Sequence, residues 1–118
     1  MKILLIDDNK EITEAVAFYL EGADISCTII TDGRQGLNMI KNRNDFDLIL
    51  LDISIPGFSG YDILDELRKD NLIVSRIIMI FTASVLDEER IFSYGVKGII
   101  KKPISIDDLQ AAIDRLKD

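Results

Sequence analysis

Residues 48–60 read LILLDISIPGFSG: four strongly apolar residues, one carboxylate at Asp52, and then a turn at Pro56-Gly57. A run such as Leu48-Ile49-Leu50-Leu51, with no polar alternation and a turn soon after it, suits a strand covered on both faces, as in parallel sheets with helices on either side. An acid ending such a strand stands at the carboxyl edge of the sheet. Open α/β sheets bind ligands in the crevice outside that edge. Aspartate also starts many turns by hydrogen-bonding its own backbone, so this stretch alone leaves two readings of Asp52 open.

Working outward, further apolar runs occur at KILLI (2–6), ISCTII (25–30), IIMIF (77–81) and GII (98–100), which with LILL (48–51) predict five strands. Amphipathic stretches lie between them. Ile12, Ala15, Val16, Tyr19 and Leu20 fall on one helical face, with Glu11, Glu14 and Glu21 opposite. Leu37 and Ile40 mark a shorter helix, and Ile63, Leu64 and Leu67 a third, with Ser59 placed to cap it. The segment DEERIFSY supports a brief helix, started by Asp87 and stopped by Gly95. The last helix opens at Ser105, carries Asp108 in its first turn where the helix dipole favours an acid, and buries Leu109, Ile113 and Leu116. Strict alternation of strand and helix implies parallel strands joined by right-handed crossovers, an open three-layer α/β/α sandwich.

The chain has 118 residues, 47% hydrophobic and 30% charged, and no repeat, linker or low-complexity segment, so residues 1–118 are expected to form one domain. With 14 basic and 21 acidic side chains the net charge is −7, which argues against nucleic acid and anionic lipid as partners. The apolar part of MKILLIDDNK is too short for a signal peptide, and no run approaches the roughly 18 apolar residues of a membrane span. A cytoplasmic location is expected. Cys27, the single cysteine, lies in a β-branched stretch and reads as a small core hydrophobe. The absence of histidine excludes Ser-His and Cys-His catalytic pairs and imidazole metal ligands. Carboxylates, hydroxyls and lysines must carry any chemistry.

Those groups follow the strands. KILLI runs into Asp7-Asp8, LILL into Asp52, IIMIF into Thr82-Ala83-Ser84, and GII into Lys101-Lys102-Pro103. Taken singly, Asp7-Asp8 reads as a helix cap, Lys102 as a solvated surface lysine and Thr82 as a β-branched strand end. In a parallel sheet, however, all of them share one edge. Three carboxylates about 5 Å apart repel by roughly 3 kcal/mol per pair at an effective dielectric of about 20. A hard divalent cation offsets that, since Mg²⁺ takes oxygen ligands and is commonly held by one or two carboxylates plus phosphate oxygens. Carboxylate, metal, lysine and hydroxyl are together the parts needed for phosphoryl transfer.

The chain resembles the receiver domain of two-component response regulators along essentially its whole length, through Asp7-Asp8, DISIPGFSG around Asp52, FTA with Thr82, and GIIKKP with Lys102 and Pro103. The resemblance implies a flavodoxin-like (β/α)5 fold with strand order 2-1-3-4-5. It implies a signalling phosphoacceptor rather than an enzyme, with Asp52 phosphorylated by a sensor histidine kinase or histidine phosphotransfer protein and with self-catalysed phosphorylation and dephosphorylation. By the same transfer, Asp7 or Asp8, Asp52 and the Ser54 carbonyl would bind Mg²⁺, Lys102 would pair with the phosphoryl group, and the Thr82 hydroxyl would move toward its oxygens. The Lys102-Pro103 bond is often cis in such domains. An output protein would be met by the surface of helix 4, strand 5 and helix 5, over residues 87–94, 98–101 and 105–117, with the chain a monomer or a phosphorylation-dependent dimer. One position departs: Ile99 stands where the family usually carries Tyr or Phe, and a β-branched aliphatic cannot swing a ring inward when the threonine moves. Switching is then expected to rest on residues 84–94, the helix with fewest apolar anchors.

Three other functions compete. A haloacid-dehalogenase-like phosphatase needs a second aspartate two residues after the nucleophile, where this chain has Ser54. A flavodoxin-like cofactor binder shares the topology, but DDNK would repel a phosphate that backbone N–H groups and hydroxyls should hold. A phosphorylation-independent interaction module is the third. No output domain follows Asp118, so the expectation is either a free-standing receiver acting through a protein partner or a piece of a longer chain.

Overall fold

Each apolar run becomes a strand displaced by one residue at most, and each amphipathic stretch becomes a helix. The computed structural model describes residues 1–82, 87–102 and 105–117. In chain order these form β1 (Lys2–Ile6), α1 (Lys10–Gly22), β2 (Ser26–Ile30), α2 (Gly33–Asn42), β3 (Leu48–Leu51), α3 (Gly60–Lys69), a 3₁₀ turn at Ile73–Ser75, β4 (Ile78–Thr82), α4 (Glu88–Ser93), β5 (Gly98–Lys101) and α5 (Ile106–Lys117). The strands make one sheet in the order 2-1-3-4-5, every pairing parallel.

The missing polar alternation in LILL has its explanation in two cores. Ile49 and Leu51 join Leu4, Ile6, Ile78 and Ile80 beneath Ile40 of α2, Ile63, Leu64 and Leu67 of α3, and Ile91 of α4. Leu48 and Leu50 join Ile3, Leu5, Met79, Phe81 and Ile100 on the other face, under Val16 and Leu20 of α1 and Leu109, Ala112 and Ile113 of α5. Successive strand residues point to opposite faces, and here both faces are apolar. Each fully buried Leu, Ile or Phe contributes roughly 1.5–3 kcal/mol through the area it removes from water.

Several positions differ from expectation. Ala15 is exposed, and Thr13 takes the buried place on α1, its hydroxyl donating to the Lys10 carbonyl at 3.0 Å. On α5 Ala112 is buried and Leu116 only half-buried. Cys27 is half-buried rather than core, and it lies on β2, one of the two edge strands of the sheet. Burial, followed by the nearby Glu21 charge, still pushes its thiol up to about 11. Ser59 and Asp62 form a reciprocal capping box at α3, Asp87 caps α4, and Ser105 Oγ accepts from the Asp108 amide at 3.0 Å. Among the described residues no helix is long and apolar enough to cross a membrane.

Candidate functional site

Register brings the acids together. Ile6 pairs with Leu51, so the residues that follow, Asp7 and Asp52, leave neighbouring strands at the same level. The ladder continues through them: the Asp7 amide donates to the Ile30 carbonyl at 3.1 Å, and the Asp52 amide to the Ile6 carbonyl at 2.9 Å. On the far side Phe81 pairs with Ile100 and Thr82 with Lys101, and the Lys102 amide donates to the Thr82 carbonyl at 2.8 Å. Lys102 sits two residues beyond Ile100, and its Nζ returns to 4.8 Å from the centre of the Phe81 ring. Among the described residues, Asp7, Asp8, Asp52, Thr82 and Lys102 therefore meet at one edge.

Helix capping leaves the first two acids unused. The cap of α1 is Asn9, whose side chain accepts from the Ile12 amide at 3.2 Å. Asp7 is instead fully buried, with Oδ1 accepting from the Asn9 amide at 2.9 Å, while Asp8 is exposed. Asp52 is buried, and its Oδ1 accepts from the Ser54 amide at 3.0 Å. The Lys102 side chain is only 9% exposed, and its ammonium lies 2.6 Å from Asp7 Oδ2 and 3.3 Å from Asp52 Oδ2. This is no solvated surface lysine.

The charges do not balance. Asp7, Asp8 and Asp52 each offer a carboxylate oxygen within 4.8 Å of the others, against the single Lys102 ammonium. Burial raises the pKa of Asp52; the Ser54 amide pulls it back, the Asp7 charge raises it, and Lys102 lowers it. Asp7 Oδ2 is fully buried and, apart from its ion pair with Lys102, lacks a hydrogen bond of good geometry. An oxygen-only donor set with surplus negative charge and a buried acceptor left without a hydrogen bond fits a hard divalent cation.

Two glycines mark the segment between Asp52 and α3. Gly57 has φ +81°, the left-handed turn conformation that glycine adopts without strain. Gly60 opens α3 so close to the acid-bearing loop that a Cβ there would lie 2.6 Å from the Asp52 carbonyl oxygen and 2.7 Å from Ile53 Cα.

Thr82 is fully buried at the end of β4 and tied to Lys102 through the backbone. Ile99 is half-buried against the α2–α3–α4 core, in register with Ile80. Ala83, Ser84 and the expected cis Lys102-Pro103 bond lie outside the described residues. Sequence reasoning missed Asn9, which orients Asp7, Phe81, which floors the lysine, and Gly60. The signal for Gly60 was present, since a helix that starts on glycine directly after a cap residue calls for a reason of packing.

Comparison with known proteins agrees with this geometry. The sequence model of the response regulator receiver domain matches residues 3–114. The cell cycle response regulator CtrA of Brucella ovis is 30% identical over 113 residues, covering 96% of this chain and 48% of CtrA, so the chain spans about half the length of the curated relatives it matches. The Francisella response regulator 1452 receiver domain superposes with a TM-score of 0.83 at 32% identity, over 98% of this chain and 94% of that one. The receiver domain of a sensor histidine kinase from Pseudomonas aeruginosa PAO1, with a magnesium ion coordinated in its active site cleft, gives 0.84 at 26% identity over 99% and 98%. The chain belongs to the response regulator receiver domain family.

Proposed function

We propose that Asp52 accepts a phosphoryl group from the phosphohistidine of a sensor histidine kinase or histidine phosphotransfer protein, in a Mg²⁺-dependent reaction, and that the phosphorylated state switches a protein-binding surface. Membership of the family implies a phosphoacceptor role in two-component signalling. The observation that carries the finer reading is the burial of Asp52 at an interior strand end, with the Lys102 ammonium 3.3 Å from its Oδ2 and two further carboxylates within 4.8 Å.

In the transfer, an Asp52 carboxylate oxygen forms the new P–O bond as the donor's P–N bond breaks, its electron pair leaving with the imidazole. The carboxylate must be ionised to attack. Burial opposes that, while the Ser54 amide and the Lys102 ammonium favour it. Lys102 would hold a phosphoryl oxygen, and the Thr82 hydroxyl would turn toward the same group once it is attached. The carboxylates of Asp7, Asp8 and Asp52 and the carbonyl of Ser54 would hold Mg²⁺, as the magnesium in the Pseudomonas aeruginosa relative's cleft encourages. Bound there, the ion would neutralise charge on the transferring oxygens.

Residues 1–118 would act as one cytoplasmic receiver domain, monomeric or dimerising on phosphorylation, and would meet an output protein through α4, β5 and α5. Exposed Phe92 on α4 and half-buried Ile99 on β5 contribute apolar surface there. The test is intact-mass measurement after incubation with acetyl phosphate and Mg²⁺. One phosphoryl group should be gained by the wild type and none by Asp52→Asn. Full uptake by Asp52→Asn would overturn the acceptor, and unimpaired uptake by both Asp7→Asn and Asp8→Asn would overturn the metal ligands.

A further inference from the structure

α3 and α4 are joined by a polar contact that takes no part in the acid site. Tyr94 follows α4 and is buried, and its hydroxyl donates a 2.5 Å hydrogen bond to Asp65 Oδ1 on α3. Two arginines frame it. Arg68 Cζ lies 4.3 Å from the centre of the Tyr94 ring, with its Nη2 3.6 Å from the same Asp65 oxygen. Arg90 Cζ, from α4, lies 4.1 Å from the centre of the Tyr61 ring on α3. Burial, and next the hydrogen bond to Asp65, raise the Tyr94 pKa against the lowering hydrogen bond to Arg90, so the phenol remains a donor at neutral pH.

The contact spans 29 residues of sequence and joins two helices with different roles at the site. α3 is seated on the Asp52 loop through Gly60, and α4 follows the strand that ends at Thr82. α4 has six residues and one buried side chain, Ile91. With so little apolar anchoring, the hydrogen bond to the Asp65 carboxylate and the Arg90–Tyr61 stack are ties that hold α4 to α3. A contact made in one of two states resists the shift to the other by its own free energy.

We propose that the Tyr94–Asp65 hydrogen bond is a latch that holds α4 against α3 in the resting chain and thereby opposes phosphorylation of Asp52, an inference that rests on the reading of Asp52 as phosphoacceptor. Tyr94→Phe removes the latch while keeping the ring, its burial and the Arg68 stack. In the unphosphorylated protein, amide exchange at Ile91, Tyr94 and Gly95, whose N–H groups bond the carbonyls of Asp87, Ile91 and Phe92, should quicken by about tenfold. The initial rate of phosphoryl uptake from acetyl phosphate with Mg²⁺, read by intact mass, should rise by a similar factor, because the reactive conformation is more populated. Asp65→Ala should act in the same direction, and the double variant should fall short of the sum of the two, since the Tyr94–Asp65 bond is shared, whereas the Arg68 ion pair is lost only with Asp65 and the Arg90 hydrogen bond only with Tyr94. Unchanged exchange in Tyr94→Phe overturns the latch. Faster exchange with unchanged uptake overturns its opposition to phosphorylation and leaves Asp52 standing as acceptor. No uptake by any of these proteins overturns the acceptor reading and the coupling built on it.

Discussion

The Lys102 ammonium lies 2.6 Å from Asp7 Oδ2, closer than it comes to any oxygen of the proposed acceptor, Asp52. In the resting chain the lysine is thus held chiefly by a fully buried acid, and that acid in turn depends on the lysine for its countercharge.

Lys102→Met should therefore destabilise the chain by about 3 kcal/mol, the order expected when one partner of a buried ion pair is removed and the other remains. Urea unfolding midpoints at pH 7 measure it. Adding Asp7→Asn to Lys102→Met should recover most of the loss. Equal midpoints for wild type and Lys102→Met would show that the pair does not exist in solution.

Asp52 carries a pH signature. Its folded pKa is raised, mainly by burial, so its neutral form is the one that folding favours. Its contribution is fully favourable below the unfolded carboxylate pKa of about 3.9 and is lost as pH rises through the folded value. At pH 7, well above the unfolded value, burying this acid costs stability. Asp52→Asn should melt higher than wild type at pH 7, and the gap should close as pH falls below about 4. A gap that widens on acidification would reverse the sign and point to a carboxylate stabilised by its partners.

Mg²⁺ should raise the melting temperature, because an ion that binds the folded site alone stabilises it by about 2.7 kcal/mol at a hundredfold excess over its dissociation constant. Asp8→Asn should melt higher than wild type without metal, since one repulsive charge is gone, and should respond less to added Mg²⁺. Melting curves indifferent to Mg²⁺ in both proteins would rule the acidic cluster out as a cation site.

Cys27 offers a probe away from the site. With its thiol pushed from 9.0 up to about 11 by burial and then by Glu21, it holds on the order of a hundredfold fewer thiolates at pH 8 than an unshifted cysteine. Alkylation by iodoacetamide at pH 8 should be at least tenfold slower in the folded chain than in urea. Comparable rates in the two conditions would mean that β2 does not bury the thiol.

The strands and the acid edge were legible because they depend on short-range patterns. LILL followed by Asp52 marks an interior strand and its end, and once the strands are parallel the remaining strand-end residues must share one edge. Register was not legible. That Ile6 faces Leu51, and so Asp7 faces Asp52, follows from packing of both sheet faces at once. The face of α1 was misjudged at Ala15, because periodicity does not say that Thr13 can bury its hydroxyl by bonding Lys10. α4 was read as weakly anchored. Its Ile91 and Tyr94 anchors include a bond to Asp65, and nothing local in either segment announces a partner so distant in sequence.

Gly60 has a bearing on how this sequence can drift. The acids, the lysine and the hydroxyl are constrained by what they do, but position 60 is constrained by volume alone, since one added carbon would drive α3 off the Asp52 carbonyl. In a library that replaces every residue in turn, depletion at 60 would look like that of a reactive group, although its side chain is a hydrogen atom. Alanine, harmless along most of a helix, belongs there among the forbidden choices, whereas Gly22, with open space around it, should accept nearly anything.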